Sequence, residues 1–125
     1  MFEKYKKVLK EDYKAWYKEN EDYRKKVAAD PRRLSFHLMP KTGWLNDPNG
    51  LCQFHGTYHI YYQYTPFEPT GELKMWGHYT TKDFVHYKDY GPVVFPDKDF
   101  DAHGVYSGSA FIEDDTIHYF YTGNL

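Results

Sequence analysis

The 125-residue chain is predicted to be all-β, the first part of a β-propeller with an α-helical extension in front of it. Three observations predict this. Aromatic residues make up 21% of the chain, and from Ser35 onward they recur in short runs broken by Gly, Asp and Pro, the pattern of strands and turns. The run Thr57-Tyr58-His59-Ile60-Tyr61-Tyr62 is echoed by Thr116-Ile117-His118-Tyr119-Phe120-Tyr121 at a constant offset of 59. A four-stranded unit recurring at that spacing is how a propeller blade looks in sequence. Before Ser35 the apolar residues fall instead at helical intervals of three and four. A propeller needs about four or more blades to close its ring, whereas one blade and the first hairpin of a second fit here. The chain is therefore expected to be the N-terminal piece of a longer protein, with a helical extension over 1–33 and an incomplete propeller over 34–125.

The elements follow in order. Phe2, Tyr5, Leu9, Tyr13 and Trp16 share one helical face, which Tyr23 and Val27 resume after Asn20, so a helix is expected over 2–29. Asp30-Pro31 stops it. Residues 1–33 carry eleven Lys or Arg against seven acids, and residues 34–125 carry five against eleven. The basic, amphipathic helix is expected to clasp the acidic body with its aromatic stripe, rather than to bind a membrane or an acidic partner. Strands are expected over 51–54 and 58–63 around a turn at His55-Gly56-Thr57, and over 76–81 and 85–88 around Lys82-Asp83-Phe84. Residues 91–104, with Pro92 and Pro96, read as a loop. A second hairpin follows, 106–113 and 116–121, around Asp114-Asp115.

Composition also excludes functions. The acidic body is a poor nucleic-acid surface. No run approaches the roughly 18 apolar residues of a membrane span, and no secretory apolar segment appears, so a cytoplasmic protein is expected. The single Cys52 rules out an internal disulfide and reads as a small buried hydrophobe rather than a nucleophile. Seven histidines invite a metal reading, but His55 and His59 lack acidic companions across their turn, and no metal or cofactor is expected. No glycine-rich phosphate loop is present, and Lys41 and Lys74 read as solvated lysines that could assist with a phosphorylated substrate.

The chemistry centres on Gly43-Trp44-Leu45-Asn46-Asp47-Pro48-Asn49-Gly50. Asn, Asp, Pro and Gly each favour turns for their own reasons, so a plain turn is a sufficient reading of these residues alone. Pro48, however, pushes Asp47 into extended geometry with its carboxylate held off the backbone, just ahead of an aromatic hairpin. That is a sensible place to hold a nucleophile against a sugar ring.

Together with Tyr62-Gln63-Tyr64-Thr65-Pro66, Trp76-Gly77-His78, Lys82-Asp83-Phe84-Val85-His86-Tyr87 and Tyr106-Ser107-Gly108-Ser109, this run resembles the successive motifs of the glycoside hydrolase family 32 β-fructosidases. The likeness covers about 35–124 and is strongest to the bacterial members that hydrolyse sucrose 6-phosphate. It implies a five-bladed propeller, about one and a half blades of it here, and retaining cleavage of β-fructofuranosyl bonds in sucrose or sucrose 6-phosphate. It implies Asp47 as nucleophile and Trp44, Leu45, Asn46, Gln63, Trp76, Tyr106 and Ser107 as sugar-binding residues. The family's Arg-Asp-Pro and Glu-Cys motifs, which supply a stabilising Asp and the acid/base, are absent. Retaining chemistry needs two carboxylates about 5–5.5 Å apart, so this stretch is expected to be inactive alone. Asp83, Asp99 and Asp101 are weak substitutes. A fructan hydrolase and a noncatalytic fructoside-binding propeller are the alternatives.

Overall fold

Aromatic strands that are apolar on both faces need cover on both sides, and the computed structural model, which describes residues 6–125, supplies it from two sheets and a helical arm. Strands β1 (Trp44–Phe54), β2 (Thr57–Thr65), β3 (Met75–Thr81) and β4 (Tyr87–Val94) form an antiparallel sheet in sequential order. Strands β5 (Gly104–Glu113) and β6 (Thr116–Asn124) form a second, two-stranded sheet. One complete four-stranded unit and one hairpin of the next is the arrangement anticipated from the repeat, and β2 and β6 are its two echoing strands. The sheets are antiparallel and unclosed.

Period-2 alternation sorts the strand residues onto two faces. One face of the first sheet sends Tyr61 and Trp76 against Val105 of β5, with Val94, Tyr119 and Tyr121 around them. The opposite face stacks Tyr62, Tyr64 and Tyr79, covered by Leu38, Leu45 and Ile60. The hairpin turn at His55-Gly56 has positive φ at both residues (49° and 74°), as a tight two-residue connection between twisted strands requires.

Beyond the earlier start of β1, at Trp44 rather than 51, two expectations about the elements are corrected. The helix does not run over 2–29. Positions 2 and 5 lie outside the described residues, residues 6–9 are non-helical, and the helical part is α1 (Lys10–Glu19) followed by α2 (Glu21–Ala28). Tertiary contact overrides the helical spacing at its start. The Val8 N–H donates to the Pro96 carbonyl at 3.0 Å, and its side chain is fully buried with Met75 and Phe95. The Asp12 carboxylate then accepts the Leu9 N–H at 2.8 Å and opens α1. At Asn20 the backbone leaves helical geometry, and its side-chain amide donates to the Trp16 carbonyl at 2.8 Å. The second correction is β4, which includes Gly91 and Pro92 instead of ending at 88. Pro92 pairs with Gly77 on the outer strand of the sheet, a position where a missing donor is tolerated.

The stripe of α1 lies on the body. Trp16 meets Phe67 edge-on with ring centroids 5.2 Å apart, and Tyr13 contacts Phe67 and Phe95. Burial, more than the neighbouring Tyr17 and Asp89, raises the Tyr13 hydroxyl to about 12.

Candidate active site

An unbroken strand would send neighbouring side chains to opposite faces, hiding every second residue of Asn46-Asp47-Pro48. β1 avoids this by slipping register against β2 twice, between Leu45 and Pro48 and between Asn49 and Cys52. Such bulges bend a strand and re-aim its side chains, and here Asn46, Asp47 and Pro48 are all exposed in succession. β5 slips in the same way between Val105 and Gly108, leaving Tyr106 and Ser107 both exposed. The two irregular stretches face each other across the gap between the sheets. The Ser107 hydroxyl donates to Asp47 Oδ2 at 2.9 Å, joining residues 60 apart in sequence.

A buried polar layer fixes this meeting. The Asn49 carboxamide, almost wholly buried, lies 3.0 Å from Gln63 Nε2 and 3.3 Å from the Gly108 N–H. Gln63 Nε2 donates to the Val105 carbonyl at 3.0 Å, and Trp76 Nε1 donates to the Tyr106 carbonyl at 3.0 Å. The Val105 N–H in turn donates to the Lys74 carbonyl at 2.8 Å. Three bonds, from β2, from β3 and from Lys74 just before β3, thus hold the backbone of 105–106 where the regular ladder to β6 lapses. Glycine is required at 108, since a Cβ there would stand 1.9 Å from the Phe120 carbonyl oxygen.

The predicted residues therefore fall into separate groups. Asp47, Asn46, Tyr106 and Ser107 are exposed around one contact. Gln63 and Trp76 (0% exposed) lie beneath it and contact the β5 backbone. Leu45 packs into the tyrosine layer on the other face. Trp44 is half-buried, its indole lying against Gly71 and near the Lys74 ammonium, 5.5 Å from the ring centroid. No role is legible in the sequence for Asn49, although it stands in the motif, and Lys74 reads there as a solvated lysine that could assist with a phosphorylated substrate. For Asn49 the signal is the bulge geometry of β1, which the alternation pattern cannot express; for Lys74 it is the approach of the Trp44 and Tyr106 rings.

The other carboxylates are engaged elsewhere. Asp101 is fully buried, accepting from the Lys98 N–H and the Tyr121 hydroxyl at 2.8 Å each. Asp99 is exposed and paired with Lys7. Asp83 closes the β3–β4 turn; the His86 ring, then the His86 and Val85 N–H groups, hold its carboxyl well below the usual range. Cys52 is half-buried rather than buried, and burial pushes its thiol up, away from nucleophilic thiolate. His55 pairs with Asp115 at 2.7 Å, while His59 Nδ1 lies 3.0 Å from His78 Nε2. Among the described residues no three His, Cys, Asp or Glu converge as a metal site, and no helix is long and apolar enough to cross a membrane.

The sequence matches the model of the glycosyl hydrolases family 32 N-terminal domain over residues 37–125. It is 54% identical over 90 residues to a sucrose-6-phosphate hydrolase of Vibrio alginolyticus, covering 72% of this chain and 19% of that protein. A Bacillus subtilis sucrose-6-phosphate hydrolase is 45% identical over 109 residues, 87% of this chain and 23% of the other. The solved structure of sucrose-6-phosphate hydrolase from Lactobacillus gasseri superposes with a TM-score of 0.82 at 37% identity, covering 94% of this chain and 25% of that one. The chain spans about a fifth of the length of the curated relatives it matches.

Proposed function

Because this chain belongs to glycosyl hydrolase family 32, we propose that it contributes the nucleophile-bearing part of a retaining β-fructofuranosidase that cleaves sucrose or sucrose 6-phosphate. The observation that carries the reading is the Ser107–Asp47 hydrogen bond. Two bulged strands, from separate sheets, leave Asn46, Asp47, Tyr106 and Ser107 exposed, over a buried layer that includes Asn49, Gln63 and Trp76. Amides and hydroxyls suit sugar hydroxyls, and an aromatic face suits the apolar side of the ring.

Asp47 is the proposed nucleophile. Its carboxylate attacks the anomeric carbon of the fructosyl unit as the bond to the leaving oxygen breaks, forming a fructosyl ester. Ser107 is proposed to keep the carboxylate from rotating away, and Asn46 and Tyr106 to meet fructosyl hydroxyls. Gln63 and Trp76 act as positioning residues in this arrangement, since both spend their donors on the β5 backbone. Leu45 supports β1 from the far layer, and Trp44 offers a ring face at the edge. Protonation of the leaving oxygen needs a second carboxylate close to Asp47. Asp83, Asp99 and Asp101 are committed to other contacts, so the acid is assigned to sequence outside these 125 residues. The unit 34–125 is proposed as the incomplete catalytic propeller and 1–33 as its extension. A cytoplasmic setting accords with the free Cys52.

Asp47→Asn in the full-length protein tests the assignment. It preserves shape and removes the charge that forms the ester, so kcat should fall by a factor on the order of 10⁴ or more with substrate still bound. Mass spectrometry should find a trapped fructosyl adduct on the peptide containing Asp47. An adduct on another carboxylate, or near-normal turnover by the variant, would refute it.

A further inference from the structure

We propose that Lys74 is the specificity-determining residue of this site, selecting a fructoside that carries a phosphate ester over the neutral sugar. The inference rests on the reading of Asp47 and Ser107 as part of a fructoside-cleaving site.

Lys74 sits immediately before β3, and its carbonyl is one of the groups that hold β5 in place. Its ammonium donates to the Gly71 carbonyl at 2.7 Å. It also lies 5.5 Å from the Trp44 ring centroid and 5.4 Å from that of Tyr106. These two rings come from the strands that bear Asp47 and Ser107: Trp44 is three residues before the carboxylate and Tyr106 is next to the serine. The ammonium is therefore fixed at the edge of the exposed cluster by neutral groups. Aromatic faces attract a cation without cancelling its charge, and a carbonyl does the same. Among the described residues no carboxylate forms an ion pair with it, whereas Lys7, Lys41 and Lys98 pair with Asp99, Asp89 and Asp97.

Gly71 makes this cradle possible. It has φ +76°, and a Cβ there would stand 2.6 Å from the Trp44 indole. The close approach brings its carbonyl and the Trp44 face to the same ammonium. An ammonium has three N–H donors and one goes to Gly71, leaving two for a ligand. A held, unneutralised cation with spare donors is suited to a phosphate monoester, whose oxygens accept charge-assisted bonds. A lysine free to reorient would lose side-chain entropy on binding, and that loss is already partly met here.

The test uses the full-length protein and its Lys74→Met variant, which retains the apolar stem against Trp44 and Tyr106. Steady-state kinetics on sucrose 6-phosphate and on sucrose give the ratio of the two kcat/KM values. The wild type should favour the phosphorylated sugar, and K74M should reduce that ratio about 10- to 100-fold, mainly through KM. Inorganic phosphate should inhibit sucrose cleavage competitively, and more weakly in the variant, while Lys74→Arg restores part of the preference. Equal losses on both sugars would make Lys74 a merely structural support and overturn the proposal. So would an unchanged ratio. A wild type that cleaves both sugars equally well would refute it while leaving the fructosidase reading intact. A wild type that cleaves neither would remove that reading first.

Discussion

The Ser107–Asp47 contact shows how much one exposed hydrogen bond can be asked to do. A bond to a charged group contributes about 1.5–3 kcal/mol when buried, and less at an open surface. Ser107→Ala should therefore leave the fold intact, with a melting temperature close to wild type. Its effect should appear in kcat/KM, which we expect to fall about tenfold because the carboxylate is no longer held for attack. A large drop in melting temperature with unaltered kinetics would contradict this. Trp76 is the opposite kind of residue. Its type and motif suggest a ring lining a pocket, yet it is fully buried between the sheets with its N–H on Tyr106. The motif identified the position, and only the packing shows that the indole lies beneath the β5 backbone.

At the scale of elements, legibility followed the period. β2 and β3 alternate regularly and were readable to within a residue or two, as were the hairpin turns. β1 and β5 were readable only in their regular halves, because bulges break the alternation at the functional stretch. The pairing of β2 with β3 also places His59 opposite Thr80 and next to His78, with His59 Nδ1 3.0 Å from His78 Nε2. Burial, and secondarily His59, pushes His78 down to about 4 from an ordinary 6.5, and burial lowers His59 as well. A depressed histidine is neutral in the folded state, so the unfolded chain binds the additional proton. Stability is therefore full above the unfolded value and is lost as pH falls from about 6.5 toward 4. Urea midpoints of the full-length protein should drop over that interval, and His78→Phe should flatten the slope. Asp83 and Asp99 are held below an ordinary 3.8 and Glu68 below an ordinary 4.5, so these carboxylates add to the loss only at the acid end of the interval. An equal slope in the variant would place the titrating group elsewhere.

For the molecule as a whole, the N-terminal arm and the sheets share one core, in which Val8 is enclosed with Met75 and Phe95. Tyr13 and Trp16 extend that contact over Phe67. Deleting residues 1–30 from the full-length protein should open this layer and lower the melting temperature by several degrees, since Val8 is fully buried and burying such a side chain is worth about 1.5–3 kcal/mol. The ratio of activities on phosphorylated and neutral sucrose should stay the same, because none of these residues reaches Asp47. Retained stability with loss of a membrane or protein partner would favour an interaction role for the arm.

By itself the sequence determined the class of the fold, the repeat of its blades and the family, and it singled out Asp47 as the proposed nucleophile. Those depend on local periodicity, and on a motif whose residue types are tied to their chemistry. Only the tertiary structure decided that residues 6–9 are non-helical, that Gln63 and Trp76 lie beneath the β5 backbone, and that Lys74 is held between Trp44 and Tyr106. Each of these turns on which face a side chain takes after a register slip, or on a partner dozens of residues away. Local pattern carries neither piece of information, because the energy that settles them comes from packing between sheets.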